Sequence, residues 1–294
     1  MKKIFKNILS EEFRERVERI FIWIAIISFI LHLIVIFLVN LHVIHLNSKL
    51  TSSPISAIYT PFSFILVYEV FLLVFYLPKS ISSYIGKQYE IITLIVIRRI
   101  FKDIGYIQSS QNWFKLEHDL QFTYDLVTAL ILFFLIQQFY QRLAKHASKE
   151  IARSPEDKVR IDQFIKLKKT IATILIPTVI ILAVYSFINW IVVSEQNHWD
   201  NITTFKNINN IFFEDFFILL IIIDVILLLF SFFYSDSFHK IIRNSGFIIS
   251  TILIKLSFSM EGVINNALIL GAVIFGFLIL LIHNSYKSRT YTDH

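Results

Sequence analysis

Long apolar stretches alternate with shorter polar ones along the whole chain. Six stretches are nearly free of charged residues, at 21–39, 58–77, 126–136, 171–188, 216–233 and 267–282. An α-helix needs about 20 predominantly apolar residues to cross the hydrocarbon core of a bilayer, and most of these stretches approach that length. The pattern therefore predicts an all-α, polytopic integral membrane protein.

The composition supports this class of protein. Hydrophobic residues make up 55% of the 294 positions and charged residues only 17%, whereas soluble domains carry about 25% charged residues. Mean hydropathy is +0.64. The polar stretches have too few apolar residues to form a core, so we expect one transmembrane domain over 1–294 and no soluble domain.

The number of crossings depends on segment 80–101, which contains four charged residues. If this segment crosses, eight spans place 20 Lys and Arg residues on the side of the N-terminus and six on the other side. If it does not cross, the alternative of seven spans divides them 13 to 14. Short loops on the cytoplasmic side carry the excess of Lys and Arg, so the eight-span arrangement is favoured.

The predicted spans are 20–46, 58–77, 80–101, 119–141, 170–193, 211–234, 242–259 and 263–283. Both termini are then cytoplasmic, as is the basic loop 142–169, and we expect the bacterial plasma (inner) membrane as the location. Two small-residue pairs in the last span, Ala267/Gly271 and Ala272/Gly276, have the spacing that lets helix backbones approach closely.

Motifs of enzymes are missing from the sequence. It has no glycine-rich phosphate loop, no nucleophile elbow and no His-Glu-x-x-His zinc pair. There is also no cysteine, which excludes disulfides and thiolate metal sites. We therefore predict neither an enzyme nor a cofactor or metal site.

Ionisable residues inside the predicted spans are the candidate functional residues. A charged side chain near the centre of a membrane helix costs about 2.5–3.5 kcal/mol, so each needs a partner, water or a proton. The six candidates for a transport pathway are Glu69, Lys87, Glu90, Asp125, Asp224 and Lys255.

Depth in the membrane suggests partners for four of these residues. Glu69 and Lys87 lie at similar depth on neighbouring antiparallel spans, and so do Asp224 and Lys255. We expect each acid to contact the lysine at its depth. Such pairs serve either transport or the pairing of helices. Lys87 also lies three residues before Glu90, on the same helix face.

Glu90 and Asp125 are left without an obvious partner. Glu90 lies about 15 Å from the inner boundary at 1.5 Å per residue, and so is predicted to be the carboxylate farthest from water. This depth makes Glu90 the predicted functional centre. The competing interpretation is that Glu90 stays protonated and is structural.

Two functions fit these observations. The first is a channel or transporter that moves protons or small cations by means of intramembrane carboxylates. The alternative is a non-catalytic membrane subunit or scaffold that binds a partner or anionic lipid through its basic loop. The lipid bilayer is the expected partner in both, a homo-oligomer or another membrane protein stays open, and nucleic acid is not expected.

Overall fold

The structure is a computed structural model, and the part of the chain that it describes is helical. Within that part, 93% of the residues are in helices and no strand occurs. The described residues are 9–44, 54–104, 117–147, 155–196, 203–234, 238–260 and 262–289. The all-α prediction is confirmed for these residues.

Eight long helices occur in the described ranges, one at each predicted span. They are α1 (Glu11–Asn40), α2 (Tyr59–Tyr76), α3 (Ile81–Ile104), α4 (Glu117–Ala147), α5 (Pro155–Gln196), α6 (Thr203–Tyr234), α7 (Phe238–Ser257) and α8 (Gly262–Arg289). A short 3₁₀ turn over Pro54–Ile58 precedes α2.

Four helical segments in the described ranges are long and apolar enough to cross a membrane. They are Glu11–Asn40, Leu120–Ala144, Phe216–Tyr234 and Gly262–Tyr286. A shorter apolar helix runs over Thr60–Tyr76. Length and composition therefore support membrane location for α1 and for the apolar parts of α4, α6 and α8.

The helix ends differ from the predicted spans because polar residues extend the helices. Ser10 accepts a hydrogen bond from the backbone N–H of Phe13 at 3.2 Å, so α1 begins at Glu11 rather than at residue 20. The basic loop 142–169 is largely helical, because α4 continues to Ala147 and α5 begins at Pro155. Residues 148–154 of that loop lie outside the described residues.

The contacts divide the chain into two compact units. Unit 1 comprises Met1–Phe75, Ile97–Thr123 and Thr173–Phe216, and unit 2 comprises Tyr76–Val96, Tyr124–Ala172 and Phe217–His294. The boundaries cut through α3, α4, α5 and α6. Each unit is therefore assembled from separate stretches of the chain.

Aromatic side chains hold α1 against α2 in unit 1. The rings of Phe13 and Phe71 meet edge to face with centroids 6.2 Å apart, and those of Phe21 and Tyr68 are 6.0 Å apart. The Tyr68 hydroxyl donates to Glu18 at 3.0 Å. Most of the α1 surface is exposed, including the large side chain of Trp23.

In unit 2, several polar residues of α7 are buried. Its buried residues include Asn244, Ser250, Thr251, Lys255 and Ser257. Polar side chains inside a helix bundle must find hydrogen-bond partners in neighbouring helices, because no water reaches them there. These residues consequently determine where the candidate site lies.

Candidate functional site

The carboxylate of Asp224 on α6 is the centre of a buried polar cluster in unit 2. Its Oδ1 accepts a hydrogen bond from the Tyr84 hydroxyl on α3 at 3.1 Å. Its Oδ2 accepts from the Thr251 hydroxyl on α7 at 3.2 Å and also from the Lys255 ammonium. The side chains of Asp224 and Lys255 are 0% and 2% exposed.

Helical spacing explains how α7 supplies two of these donors. Thr251 and Lys255 are four residues apart, so both lie on one face of α7 and reach the same carboxylate. The predicted contact between Asp224 and Lys255 is confirmed. The two residues come from different helices, so this ion pair also joins α6 to α7.

Tyr84 and its neighbour on α3 were not predicted as site residues. Gln88 lies four residues after Tyr84 and hence on the same helix face. The side chain of Gln88 is buried, and its Nε2 has no hydrogen-bond partner among the described residues. Gln88 still acts on the neighbouring Tyr84 hydroxyl, so it belongs to the same polar cluster.

Lys168 on α5 adds a second buried cation to unit 2. Its ammonium donates to the backbone carbonyl of Lys79 at 2.7 Å. Burial lowers the pKa of Lys168 to about 8, and the attraction of Asp224 opposes that shift. Lys168 belongs to the basic loop 142–169, so one of the lysines predicted to face a partner or lipid is buried.

A separate hydrogen-bond chain joins α3, α7 and α8. The hydroxyls of Tyr89 and Ser250 are 2.7 Å apart, and Ser250 donates to the carbonyl of Ala272 at 2.6 Å. Gly276 permits this approach, because a Cβ there would overlap the Tyr89 hydroxyl. By contrast, nothing lies within 4 Å of a Cβ at Gly271, so only one of the two predicted glycines makes a close approach.

Asp125 on α4 has a hydrogen-bond partner that the sequence did not reveal. The side-chain amide of Asn266 on α8 donates to Asp125 Oδ1 at 2.7 Å. Asp125 is fully buried. The expectation that Asp125 lacks a partner is therefore wrong, because an Asn inside an apolar helix supplied a donor that a search for opposite charges overlooks.

Glu90 is paired within its own helix. Lys87 Nζ lies 2.6 Å from Glu90 Oε2, and the two side chains are 33% and 35% exposed. The Lys87 ammonium also lies 5.3 Å from the centroid of the Tyr76 ring. Asp125 and Asp224 are more deeply buried within the protein than Glu90 is. The predicted depth of Glu90 in a membrane stays a prediction.

Within unit 1, the charge of Arg98 acts on Glu69. Within unit 2, Lys87 binds Glu90. The predicted contact between Glu69 and Lys87 stays a prediction. Glu69 is buried, and its Oε2 has no hydrogen-bond partner within the described ranges. Depth along a helix indicated which residues share a level, but not which way each side chain points around the axis.

No group of three or more His, Asp or Glu side chains in the described ranges is arranged to hold a metal ion. No protein-family model matches the chain, and neither a curated protein nor a solved structure is significantly similar to it.

Proposed function

We propose that this chain is an integral membrane protein that moves protons or a small cation, with Asp224 as the group that binds them. The observation that supports this proposal is the burial of the Asp224–Lys255 ion pair among the Tyr84 and Thr251 hydroxyls. In the proposed arrangement eight helices cross a bacterial plasma membrane, and both termini are cytoplasmic.

Burying an ion pair removes two charges from water at a high energetic cost. Replacing a buried ion pair by apolar residues of similar volume is often neutral or stabilising, so stability alone does not account for one. Intramembrane ionisable residues commonly mark ion pathways or proton relays. A carboxylate, an ammonium and two hydroxyls in one place therefore favour a transport role.

The chemistry of one cycle follows from the two charges. An incoming proton forms an O–H bond with the Asp224 carboxylate and removes its charge. The Lys255 ammonium then lacks a counter-ion in a region of low dielectric, so in the proposed cycle it releases a proton to water on the opposite side of the membrane. Asp224 then loses its proton to the neutral Lys255 amine, which restores the ion pair. A small cation acts similarly, by competing with Lys255 for the carboxylate.

Flux measurements in proteoliposomes test this function. The full-length protein is reconstituted, and proton, Na⁺ and K⁺ movements are followed under imposed gradients. We expect flux of one of these ions, with loss of most of it in Asp224→Asn, which keeps the shape of the side chain. Absence of flux under every gradient would contradict the proposal.

A second candidate is the non-catalytic subunit or scaffold. It is favoured by the interhelical contacts of the buried polar groups, since Asp224 joins α3, α6 and α7 and Asp125 joins α4 and α8. Buried polar pairs of this kind can specify which helices associate. Under this function Asp224→Asn weakens folding, and the parent protein carries no ion.

The orientation is tested by labelling single cysteines in intact cells. The eight-span arrangement places residue 109 outside and residue 154 in the cytoplasm, because segment 80–101 crosses. Ser109→Cys is expected to react with a membrane-impermeant thiol reagent, and Ser154→Cys is expected not to react. The opposite labelling would contradict the eight-span topology.

A further inference from the structure

A half-buried arginine near the start of α7 is held by neutral groups. Arg243 Nη2 and Nε donate to Asn244 Oδ1 at 3.1 and 3.3 Å, and Nη1 lies 3.2 Å from Nε2 of His283 on α8. Arginine is always a donor, so His283 Nε2 accepts. The proton of His283 is then on Nδ1, which donates to the carbonyl of His239 at 3.2 Å.

This cluster, the Arg243 site, consists of Arg243, Asn244, His239 and His283. The His239 and His283 rings stack with centroids 5.3 Å apart. Neither α7 nor α8 contains an Asp or Glu, and Arg243 contacts no carboxylate among the described residues. Among the described residues, no opposite charge therefore compensates Arg243, and a charge held partly out of water favours an anion nearby.

The space beside Arg243 is small and has apolar walls. A cavity of about 40 Å³ is lined by the Arg243 and His239 side chains and by Phe238, Ile242, Ile279 and Ile282. One water molecule needs about 10–15 Å³ of such space, so the cavity has room for a few oxygen-sized groups of a bound anion.

We propose that the Arg243 site binds the phosphate of an anionic phospholipid headgroup. Arginine is well suited to phosphate because its planar fork donates two parallel hydrogen bonds. The apolar walls suit the upper part of an acyl chain, since Phe238 and Ile282 are exposed beside the charged group. Free phosphate would gain nothing from those walls.

The proposal rests on the membrane placement of the proposed function, but not on transport. The predicted spans begin at residue 242 on α7 and end at 283 on α8, which places Arg243 and His283 at the cytoplasmic headgroup level. Anionic lipids are the usual partners of basic groups at that level. Asp224 belongs to a different cluster, so the two proposals can fail independently.

The site is tested by measuring which lipids stay bound to the purified full-length protein. Phosphatidylglycerol and phosphatidylcholine are offered together in mixed micelles, and native mass spectrometry measures how much of each is retained. The sharpest variant is Asn244→Asp, which keeps the shape and gives Arg243 a carboxylate in contact. Arg243→Gln removes the charge. Lys240→Gln is the matched control, because it removes an exposed charge from the same end of α7.

We expect the preference for phosphatidylglycerol to fall at least about tenfold in Arg243→Gln and in Asn244→Asp, as loss of a charge-assisted bond to phosphate requires. Lys240→Gln should lower it by at most about fivefold, the effect of one surface cation. Asp224→Asn should leave it unchanged.

Three results would overturn the inference. The first is an equal loss in Arg243→Gln and Lys240→Gln, which would mean a general effect of charge. The second is full retention of the preference in Asn244→Asp, which keeps its fold even if Arg243→Gln does not. The third is Arg243-dependent stabilisation by inorganic phosphate alone that equals that by phosphatidylglycerol, which would assign the site to a soluble anion.

Discussion

Among the described residues of unit 2, two acid–lysine pairs differ in how the chain assembles them. Lys87 and Glu90 are three residues apart on α3, and their side chains are about one third exposed. Asp224 and Lys255 come from α6 and α7, and their side chains are almost completely buried. The first pair needs only a helix, whereas the second exists only when the helices are packed.

This difference decides which pair is suited to function. The Lys87–Glu90 pair forms within one helix, so losing one partner should disturb helix packing less than at Asp224–Lys255. For a buried pair, loss of one partner costs about 3–5 kcal/mol, since the other charge is left without compensation. A protonation or cation-binding event at Asp224 therefore has large energetic consequences for the packed helices.

The largest expected effect is that of separating the buried charges. Lys255→Met should lower the free energy of unfolding by about 3–5 kcal/mol, because it leaves the Asp224 carboxylate without its ammonium. Unfolding is followed in detergent by heat and by denaturant. Combining it with Asp224→Asn should cost less than the sum of the two single losses, and strictly additive losses would contradict the contact.

The packing around the buried cluster gives the next prediction. Gly276→Ala should lower the free energy of unfolding by about 1–3 kcal/mol, because the new Cβ displaces the Tyr89 hydroxyl from Ser250. Gly271→Ala is the matched control on the same helix. It should be neutral or stabilise by up to about 1 kcal/mol, the difference in helix propensity.

Equal destabilisation by the two glycine variants would indicate that α8 packs through both positions. The close approach of Tyr89 to Gly276 would then not explain the effect.

Lys168 differs from both lysines above, because it is buried and donates to a backbone carbonyl and not to a carboxylate. The pKa of Lys168 is lowered to about 8 in the folded protein, against about 10.4 in an unfolded chain. Between these values the unfolded chain binds more protons, so stability should rise with pH, by up to about 1.4 kcal/mol per pH unit.

Lys168→Met should remove this rise, whereas Lys169→Met, at the exposed neighbouring position, should keep it. Unfolding midpoints measured from pH 7 to pH 10 provide the comparison. The same pH slope in the parent and in Lys168→Met would show that other groups cause it.

The smallest expected effect is that of the half-exposed pair. Glu90→Gln should lower the free energy of unfolding by less than Asp224→Asn does, because the Lys87–Glu90 pair forms within one helix and neither side chain is fully buried. Thermal unfolding of the two variants side by side measures the contrast. A loss as large as that of Asp224→Asn would mean that Glu90 also stabilises the packing of α3 against a neighbouring helix.

The helices were predictable because the length of an apolar run can be counted directly along the sequence, without knowledge of the fold. The predicted span 80–101 corresponds to α3, and 263–283 corresponds to α8, although both contain polar residues. The exact ends of the helices were harder to predict, because caps such as Ser10 and turns with charged residues extend helices beyond the apolar run. Whether all eight helices cross a membrane stays a prediction.

The site was predictable only in part, for a geometric reason. Depth arithmetic identified the contact between Asp224 and Lys255 correctly. It did not reveal that the charge of Arg98 acts on Glu69, because depth does not specify rotation about a helix axis. Neutral donors such as Tyr84 and Asn266 give no signal in a search for charges. The spacing of four residues between Tyr84 and Gln88 is one hint that the sequence offers.

The most direct test is a side-by-side flux measurement on Asp224→Asn and Glu90→Gln in proteoliposomes, using whichever ion the parent protein moves. Both variants remove one carboxylate charge and keep its shape, so they differ only in which acid–lysine pair they change. We predict that Asp224→Asn loses most of the flux and that Glu90→Gln retains it from pH 5.5 to 8.5. Loss in Glu90→Gln together with parental flux in Asp224→Asn would contradict the assignment of Asp224 as the binding group.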